Sequence, residues 1–324
     1  MRWSELPEES SVQGIKILGT GKALPGRYLS NDDLSRLVDT DDAWIRTRTG
    51  IEGRYQCIEE SESCLTLAGR AAEKAIMKSG IDKNQIGLII VATSSGDYIL
   101  PSVAALLQRE LGLHEEIMSF DLTAACTGFL YGLGVARGLL QGLTRPYALV
   151  VGSEQLSKIM DYSDRSTCIL FGDGAGAAVI GLADGPFYQK SWTRGDVDAL
   201  SCRGVGRGQE HVVMNGKAVF RFAVSALAQG IHTALSENQL TMDEIDYIVC
   251  HQANLRIIDH VKKKFKGYED KFFINIEKLG NTSAASIAIA LDDLYESGTL
   301  KEGMKVICVG FGAGLTWTTM YLEI

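Results

Sequence analysis

Two kinds of apolar segment alternate along this chain. Short continuous runs, GLIIVAT ending at Thr93, YALVVG at 147–152, YIVC at 247–250 and KVICVG at 305–310, show no polar alternation and read as strands buried on both faces. Helices must then cover both sides of the sheets. Longer stretches with helical spacing separate the runs, and one of them, TGFLYGLGVARGLLQG after Cys126, is apolar almost all round. That composition predicts a helix buried between layers.

Self-comparison gives three ordered matches. AGRAAEKAIMKSGIDKNQIGLIIVAT aligns with ALAQGIHTALSENQLTMDEIDYIVCHQ, which places Ile86 on Ile245 and Ile89 on Ile248 at an offset of 159. MSFDLTAACTGF aligns with FINIEKLGNTSA, placing Cys126 on Asn281 at 155, and YALVVG with KVICVG, placing Leu149 on Ile307 at 158. A nearly constant offset predicts two similar α/β halves, 1–182 and 183–324, with sheets separated and flanked by helix layers. Short apolar strands resemble one another, so chance similarity is the alternative. In open α/β sheets ligands bind beyond the carboxyl ends of strands. A pseudo-twofold would bring together His251 after YIVC, Cys126 and Asn281 each just before a helix, and the glycines of GFGAG.

Composition narrows the class. The chain is 46% hydrophobic and 22% charged, an ordinary globular balance, and its net charge of −8 argues against a nucleic-acid partner. The opening MRWSELPEESS lacks the basic start and apolar core of a signal peptide, and no run of about 18 apolar residues is evident, so a cytoplasmic protein without membrane association is expected. Seven cysteines, Cys57, Cys64, Cys126, Cys168, Cys202, Cys250 and Cys308, lack CxxC spacing, which disfavours a disulfide framework. Cys168, Cys250 and Cys308 lie in apolar runs and read as core. HExxH is absent and the histidines are scattered, leaving no plausible zinc set.

Cys126, in DLTAACTGF, falls at the expected start of a buried helix. The helix dipole and free N–H groups there favour thiolate, so its pKa is expected below the free value of about 8.5. A small buried cysteine is the alternative. His251 in HQANLR is either a satisfied core histidine or a functional one. Asn281 in GNTSAAS is either a helix cap or a functional amide. FGDGAGAAVIGL at 171–182 and GFGAGLTW at 310–317 lack the GxGxxG context of dinucleotide binding and read as tight turns allowing close backbone approach.

In order along the chain, GTGKALP, WIRTRTGI, TAACTGF, FGDGAGAA, MNGKAVFRFAV, HQANLRI, GNTSAAS and GFGAGLTW resemble β-ketoacyl-acyl carrier protein synthase III, the initiating condensing enzymes of type II fatty acid synthesis. The resemblance runs from about residue 14 to the end and implies a thiolase-like α-β-α-β-α fold. It implies that Cys126 takes the acyl group of an acyl-CoA, and that His251 and Asn281 donate to the thioester carbonyl of malonyl-acyl carrier protein during decarboxylation. Backbone N–H groups of Cys126 and Ala313 would form the oxyanion hole; Ala313 stands where relatives often have Gly. CoA would be held by Trp44 and Arg165 stacked about the adenine, Arg48 near the phosphates, and Met214, Gly216 and Asn254.

The family pattern also assigns partners. An acidic carrier protein would dock on Arg221, Arg256, Lys262, Lys263 and Lys264, although a basic run can equally be a solvated helix face. Leu100 stands where relatives often carry a Phe that crosses a homodimer interface to line the acyl pocket. No metal or cofactor is implied beyond the CoA thioester as substrate. Alternatives are a starter-unit condensing enzyme or acyltransferase of a polyketide or other secondary-metabolite pathway, and a Cys-His-Asn acyl hydrolase.

Overall fold

A computed structural model describes residues 14–208 and 210–324; the opening MRWSELPEESS lies outside the described residues. Five strands form one sheet in the order Gly14–Ala23, Gly174–Ala183, Tyr147–Glu154, Ile86–Ala92 and Met118–Leu122. Four form a second, in the order Phe187–Asp196, Gly314–Glu323, Lys305–Gly312 and Tyr247–Cys250.

The two sheets follow one pairing scheme. Ile89 pairs in parallel with Leu149, and Ile248 in parallel with Ile307. Residues matched by sequence offset therefore hold the same register positions. Outward from these pairs the partners are antiparallel in both sheets, Leu149 with Val179 and Ile307 with Tyr321, then Val179 with Gly19 and Tyr321 with Tyr188. Where the first sheet adds Met118–Leu122, the second has only a parallel bridge between Ile248 and Phe272 among the described residues.

Burial on both faces explains the unbroken apolar runs. Leu88 and Ile90 point into a central core with Val150, Ile287, Leu291, Val306 and Cys308, while Ile89 and Val91 point outward to Leu67 and Ala68. Ile307 and Val309 point to a third cluster with Ala223, Leu227 and Ile231. Helices Gly128–Leu140 and Ser286–Glu296 fill the space between the sheets; Cys64–Ser79 covers the first sheet from outside, and Gly216–Glu237 the second, with Leu255–Lys262 packed beside it. The order of layers is thus α-β-α-β-α. Gly128–Leu140 is not dry all round, since Val135 is 38% exposed. Gly216–Glu237 has the length and mean hydropathy of a membrane span, although Lys217, Arg221, Gln229 and His232 interrupt any continuous apolar run. Its residues Val219, Ala223, Leu227 and Ile231 are buried in the core against the second sheet.

Each central helix is opened by a 3₁₀ turn, Ala125–Thr127 in one case and Ser283–Ala285 in the other. Both turns begin in the left-handed region, with φ of 46° at Ala125 and 48° at Ser283. Matching the turns pairs Ala125 with Ser283 and Cys126 with Ala284, an offset of 158 that agrees with the strands. The expected match of Cys126 with Asn281 is therefore three residues out. No glycine marks either positive φ, so the signal for this alignment lay in the strand offsets of 158 and 159 and not in the turns themselves.

Candidate active site

Cys126 lies in the turn that opens Gly128–Leu140, with the end of Lys305–Gly312 against it. A Cβ on Gly312 would come within 2.8 Å of the Cys126 nitrogen, so this approach requires glycine. His251 follows Tyr247–Cys250, and its N–H donates to the Val309 carbonyl at 2.9 Å. The backbone of Asn281 is tied to the loop before Gly174–Ala183, donating to the Leu170 carbonyl at 2.8 Å and accepting from the Gly172 N–H at 3.0 Å. Its Oδ1 accepts from the Ser283 N–H at 2.8 Å. That bond fixes the amide plane. Cys126, His251 and Asn281 border one cavity of about 890 Å³, together with Phe311 and Gly312.

His251 is 1% exposed, and neither ring nitrogen has a hydrogen-bond partner among the described residues. An unpaired buried polar atom is costly, which marks these nitrogens as groups awaiting one. Burial lowers the imidazole pKa to about 3, so the ring is neutral and offers one N–H donor. Phe311 meets it edge-on, with ring centroids 5.4 Å apart.

For Cys126 the expectation of a lowered pKa is overturned. Burial pushes the thiol up to about 12, and the nearby Glu154 adds to the rise; a hydrogen bond from Sγ to Ser283 Oγ at 3.4 Å opposes them only in part. Position at a helix start was visible in the sequence, whereas desolvation and a buried carboxyl were not.

The cavity mouth is cationic. Asn215 caps Gly216–Glu237 by accepting from the Ala218 N–H, and Asn254 caps Leu255–Lys262 by accepting from the Arg256 N–H. Two positive helix ends therefore face the rim beside Arg48, Lys217, Arg221 and Arg256. Asn254 also donates to the Arg48 carbonyl at 3.1 Å. Such a rim suits an anionic, phosphate-bearing ligand. Sequence reasoning had not named Lys217, Asn215 or Phe220 at this rim, nor the buried pair Ser283 and Glu154 beneath Cys126.

Other sequence-derived sites fall as follows. Trp44, Arg48, Met214, Gly216 and Asn254 line the cavity, but Arg165 does not. The Arg48 and Arg165 guanidinium carbons lie 4.3 and 5.1 Å from the Trp44 ring centre, and Arg165 bonds the Asp39 carbonyl at 2.8 Å. A ring inserted between Trp44 and Arg165 needs two contact distances, about 7 Å. The two side chains must separate before they can clasp an adenine. Lys263 and Lys264 are exposed and Lys262 half-buried, away from the cavity lining. Leu100 is 83% exposed and absent from that lining, and Ala313, beside Gly312, is half-buried just outside it.

Comparison with known proteins gives consistent results. Residues 120–192 match the family model for 3-oxoacyl-[acyl-carrier-protein] synthase III, and residues 235–324 the model for its C-terminal part. The β-ketoacyl-[acyl-carrier-protein] synthase III of Clostridium beijerinckii is 43% identical, over 96% of this chain and 100% of its own length. The crystal structure of 3-oxoacyl-[acyl-carrier-protein] synthase III from Aquifex aeolicus matches with a TM-score of 0.90 at 36% identity, covering 96% of this chain and 100% of that one. The priming β-ketosynthase from the R1128 polyketide pathway matches with a TM-score of 0.89 at 34% identity, covering 96% of each.

Proposed function

The chain belongs to the 3-oxoacyl-[acyl-carrier-protein] synthase III family of condensing acyltransferases, and from that membership we propose that it joins an acyl-CoA starter to malonyl-acyl carrier protein. In this reading it initiates fatty acid synthesis. Cys126 attacks the acyl-CoA thioester, forming an acyl-enzyme and releasing CoA, which divides one difficult condensation into two steps. Malonyl-acyl carrier protein then enters. Its thioester carbonyl sits between His251 and the Asn281 amide, whose hydrogen bonds strengthen as carbon dioxide leaves and an enolate forms. The enolate carbon attacks the acyl-Cys, giving a 3-oxoacyl-acyl carrier protein. N–H groups of Cys126 and Ala313 hold the oxyanion in both acyl transfers.

The observation that carries this reading is the convergence of Cys126, His251 and Asn281 on one cavity, with both His251 ring nitrogens unpaired among the described residues. A neutral imidazole suits a hydrogen-bond donor better than a general base at neutral pH. The rim fits the remaining substrate parts: Arg48, Asn254, Met214 and Gly216 take the CoA phosphates and pantetheine, Trp44 and a displaced Arg165 the adenine, and Lys217, Arg221 and Arg256 an acidic carrier protein, with Lys262, Lys263 and Lys264 extending that patch. Division into halves 1–182 and 183–324, a cytoplasmic location, and a homodimer in which Leu100 reaches the partner's acyl pocket belong to the same proposal.

The test is incubation with acetyl-CoA and malonyl-acyl carrier protein. Carbon dioxide and a 3-oxoacyl chain are expected; free acetate without that chain would mark a hydrolase instead. Asn281→Ala should keep Cys126 acylation yet lose decarboxylation, because the amide acts on the second substrate.

A further inference from the structure

Beneath Cys126 lies a chain of buried groups that the condensation scheme leaves unused. Cys126 Sγ is 3.4 Å from Ser283 Oγ, and Ser283 Oγ donates to Glu154 Oε1 at 3.0 Å. Ser283 is 4% exposed and Glu154 fully buried. The other carboxyl oxygen, Oε2, accepts from Ser95 Oγ at 2.5 Å, the Ser94 N–H at 3.1 Å and Thr93 Oγ1 at 3.3 Å. Among the described residues, no lysine or arginine bonds this carboxyl. An acidic group held only by neutral donors in a dry interior can exist as carboxylate or as acid, which suits it to receive a proton.

We propose that Ser283 and Glu154 form a proton relay that deprotonates Cys126 for acyl transfer. This rests on Cys126 being the nucleophile. The Cys126 S–H bond breaks as its proton passes to Ser283 Oγ, while the Ser283 hydroxyl proton passes to Glu154 Oε1. Net charge within the site is unchanged. A neutral thiol and a carboxylate become a thiolate and a carboxylic acid, so no isolated charge is created in the low-dielectric interior. The thiolate attacks the acyl-CoA, and the departing CoA thiolate takes a proton from water at the cavity mouth. When the enolate later displaces Cys126 from its acyl group, the freed thiolate recovers its proton from Glu154 through Ser283.

The backbone explains why a serine can serve here. Positive φ at Ser283 turns its N–H to Asn281 Oδ1 and leaves its hydroxyl between the thiol and the carboxyl. One residue thus positions the amide used in the second half-reaction and links the nucleophile used in the first. Ser283 touches the reacting sulfur; Glu154 acts only through Ser283 and is a positioning residue in that sense. The other titratable groups facing the chain are His251 across the cavity and Cys64, whose Sγ is 3.4 Å from Thr93 Oγ1.

The test follows two reactions of the intact protein across pH: single-turnover acylation of Cys126 by acetyl-CoA, and alkylation of Cys126 by iodoacetamide, read by peptide mass spectrometry. With the relay working, both rates level off over the neutral range. Ser283→Gly removes the hydroxyl while accommodating the positive φ, and Glu154→Gln removes the acceptor. Each should slow both reactions at neutral pH by roughly 10²-fold, with rates that climb steadily with pH because the proton must now leave to water. A purely electrostatic role for Glu154 predicts the reverse, since losing a nearby negative charge favours the thiolate. Wild-type pH profiles in Ser283→Gly, or faster reaction in Glu154→Gln, would overturn the relay. Alkylation with these profiles but no acylation in any variant would sink the nucleophile reading and leave the relay standing.

Discussion

At Ala125–Thr127 a 3₁₀ turn presents Cys126 to a cavity of about 890 Å³, while at Ser283–Ala285 a turn of matching backbone presents Ala284 to packed core, where it is 1% exposed. Both turns begin with a non-glycine residue near φ 47°, a conformation that costs about 1 kcal/mol or more in an L-residue, and both open a helix between the sheets. What separates them is the surroundings. A Cβ on Gly152 would run into the Ala284 carbonyl, and one on Gly128 would meet the Ala284 Cβ at 3.6 Å, so the second turn is closed in by neighbours. The first turn packs against Gly312 and Ser283, yet Cys126 still borders the cavity. Duplication supplied the frame twice, and packing left only one copy open to a substrate.

If the first turn is chemistry and the second scaffold, damage to each should register in different measurements. Cys126→Ser keeps the shape and exchanges the sulfur for a poorer nucleophile. Acyl-adduct formation should fall by roughly 10³-fold or more, with Tm almost unchanged. A serine enzyme that condenses at the wild-type rate would remove Cys126 from the mechanism. Gly152→Ala attacks the scaffold instead, pressing a methyl group onto the Ala284 carbonyl. Urea unfolding should show a loss of about 2 kcal/mol, with Cys126 still acylated in the folded fraction. Unchanged stability would mean that the second turn is looser than its packing indicates.

His251 offers an intermediate effect through pH. The exposed imidazole titrates near 6.5 and the buried one near 3, so between those values the unfolded chain binds a proton that the folded chain refuses. The group's contribution to stability is therefore full above about pH 6.5 and falls by about 1.4 kcal/mol per pH unit below it. Urea unfolding of wild type and His251→Asn between about pH 5 and 7 measures this. The variant should lose that component of the slope, and identical slopes would show that His251 is hydrated.

The strand frame was legible because burial on both faces writes itself as continuous apolar runs. The sequence alone matched Ile89 with Ile248 and Leu149 with Ile307, and the structure pairs Ile89 with Leu149 and Ile248 with Ile307. Cys126, His251 and Asn281 were legible as positions after strands or before helices, and as parts of a family pattern. The alignment of the two turns was legible through the strand offset alone, because Ala125 and Ser283 carry the left-handed conformation without a glycine to announce it. Glu154 was hidden. It ends the run YALVVGSE, where a charged residue reads as the first exposed position of a loop, yet Thr93, Ser94 and Ser95 after the neighbouring strand and Ser283 from the second turn close over it. The thiol's raised pKa follows from that same enclosure. Local pattern found the positions, and long-range packing determined their protonation.

The smallest expected effect is the most direct trial of the contrast between the turns. Ala284→Cys in a Cys126→Ala background places a thiol at the equivalent backbone position, preceded by the same positive φ and followed by a similar buried helix. If turn geometry and the helix dipole were enough to make a nucleophile, this thiol would accept an acyl group. Ala284 lines no part of the cavity, and burial in apolar surroundings raises a thiol pKa, as it does for Cys250 and Cys308. Acetyl-CoA should therefore leave no adduct on the introduced thiol by mass spectrometry, and the fold should lose only about 1 kcal/mol from overpacking. An adduct there would show that the scaffold turn can open, and that packing against Gly128 and Gly152 does not by itself separate the silent copy from the reactive one.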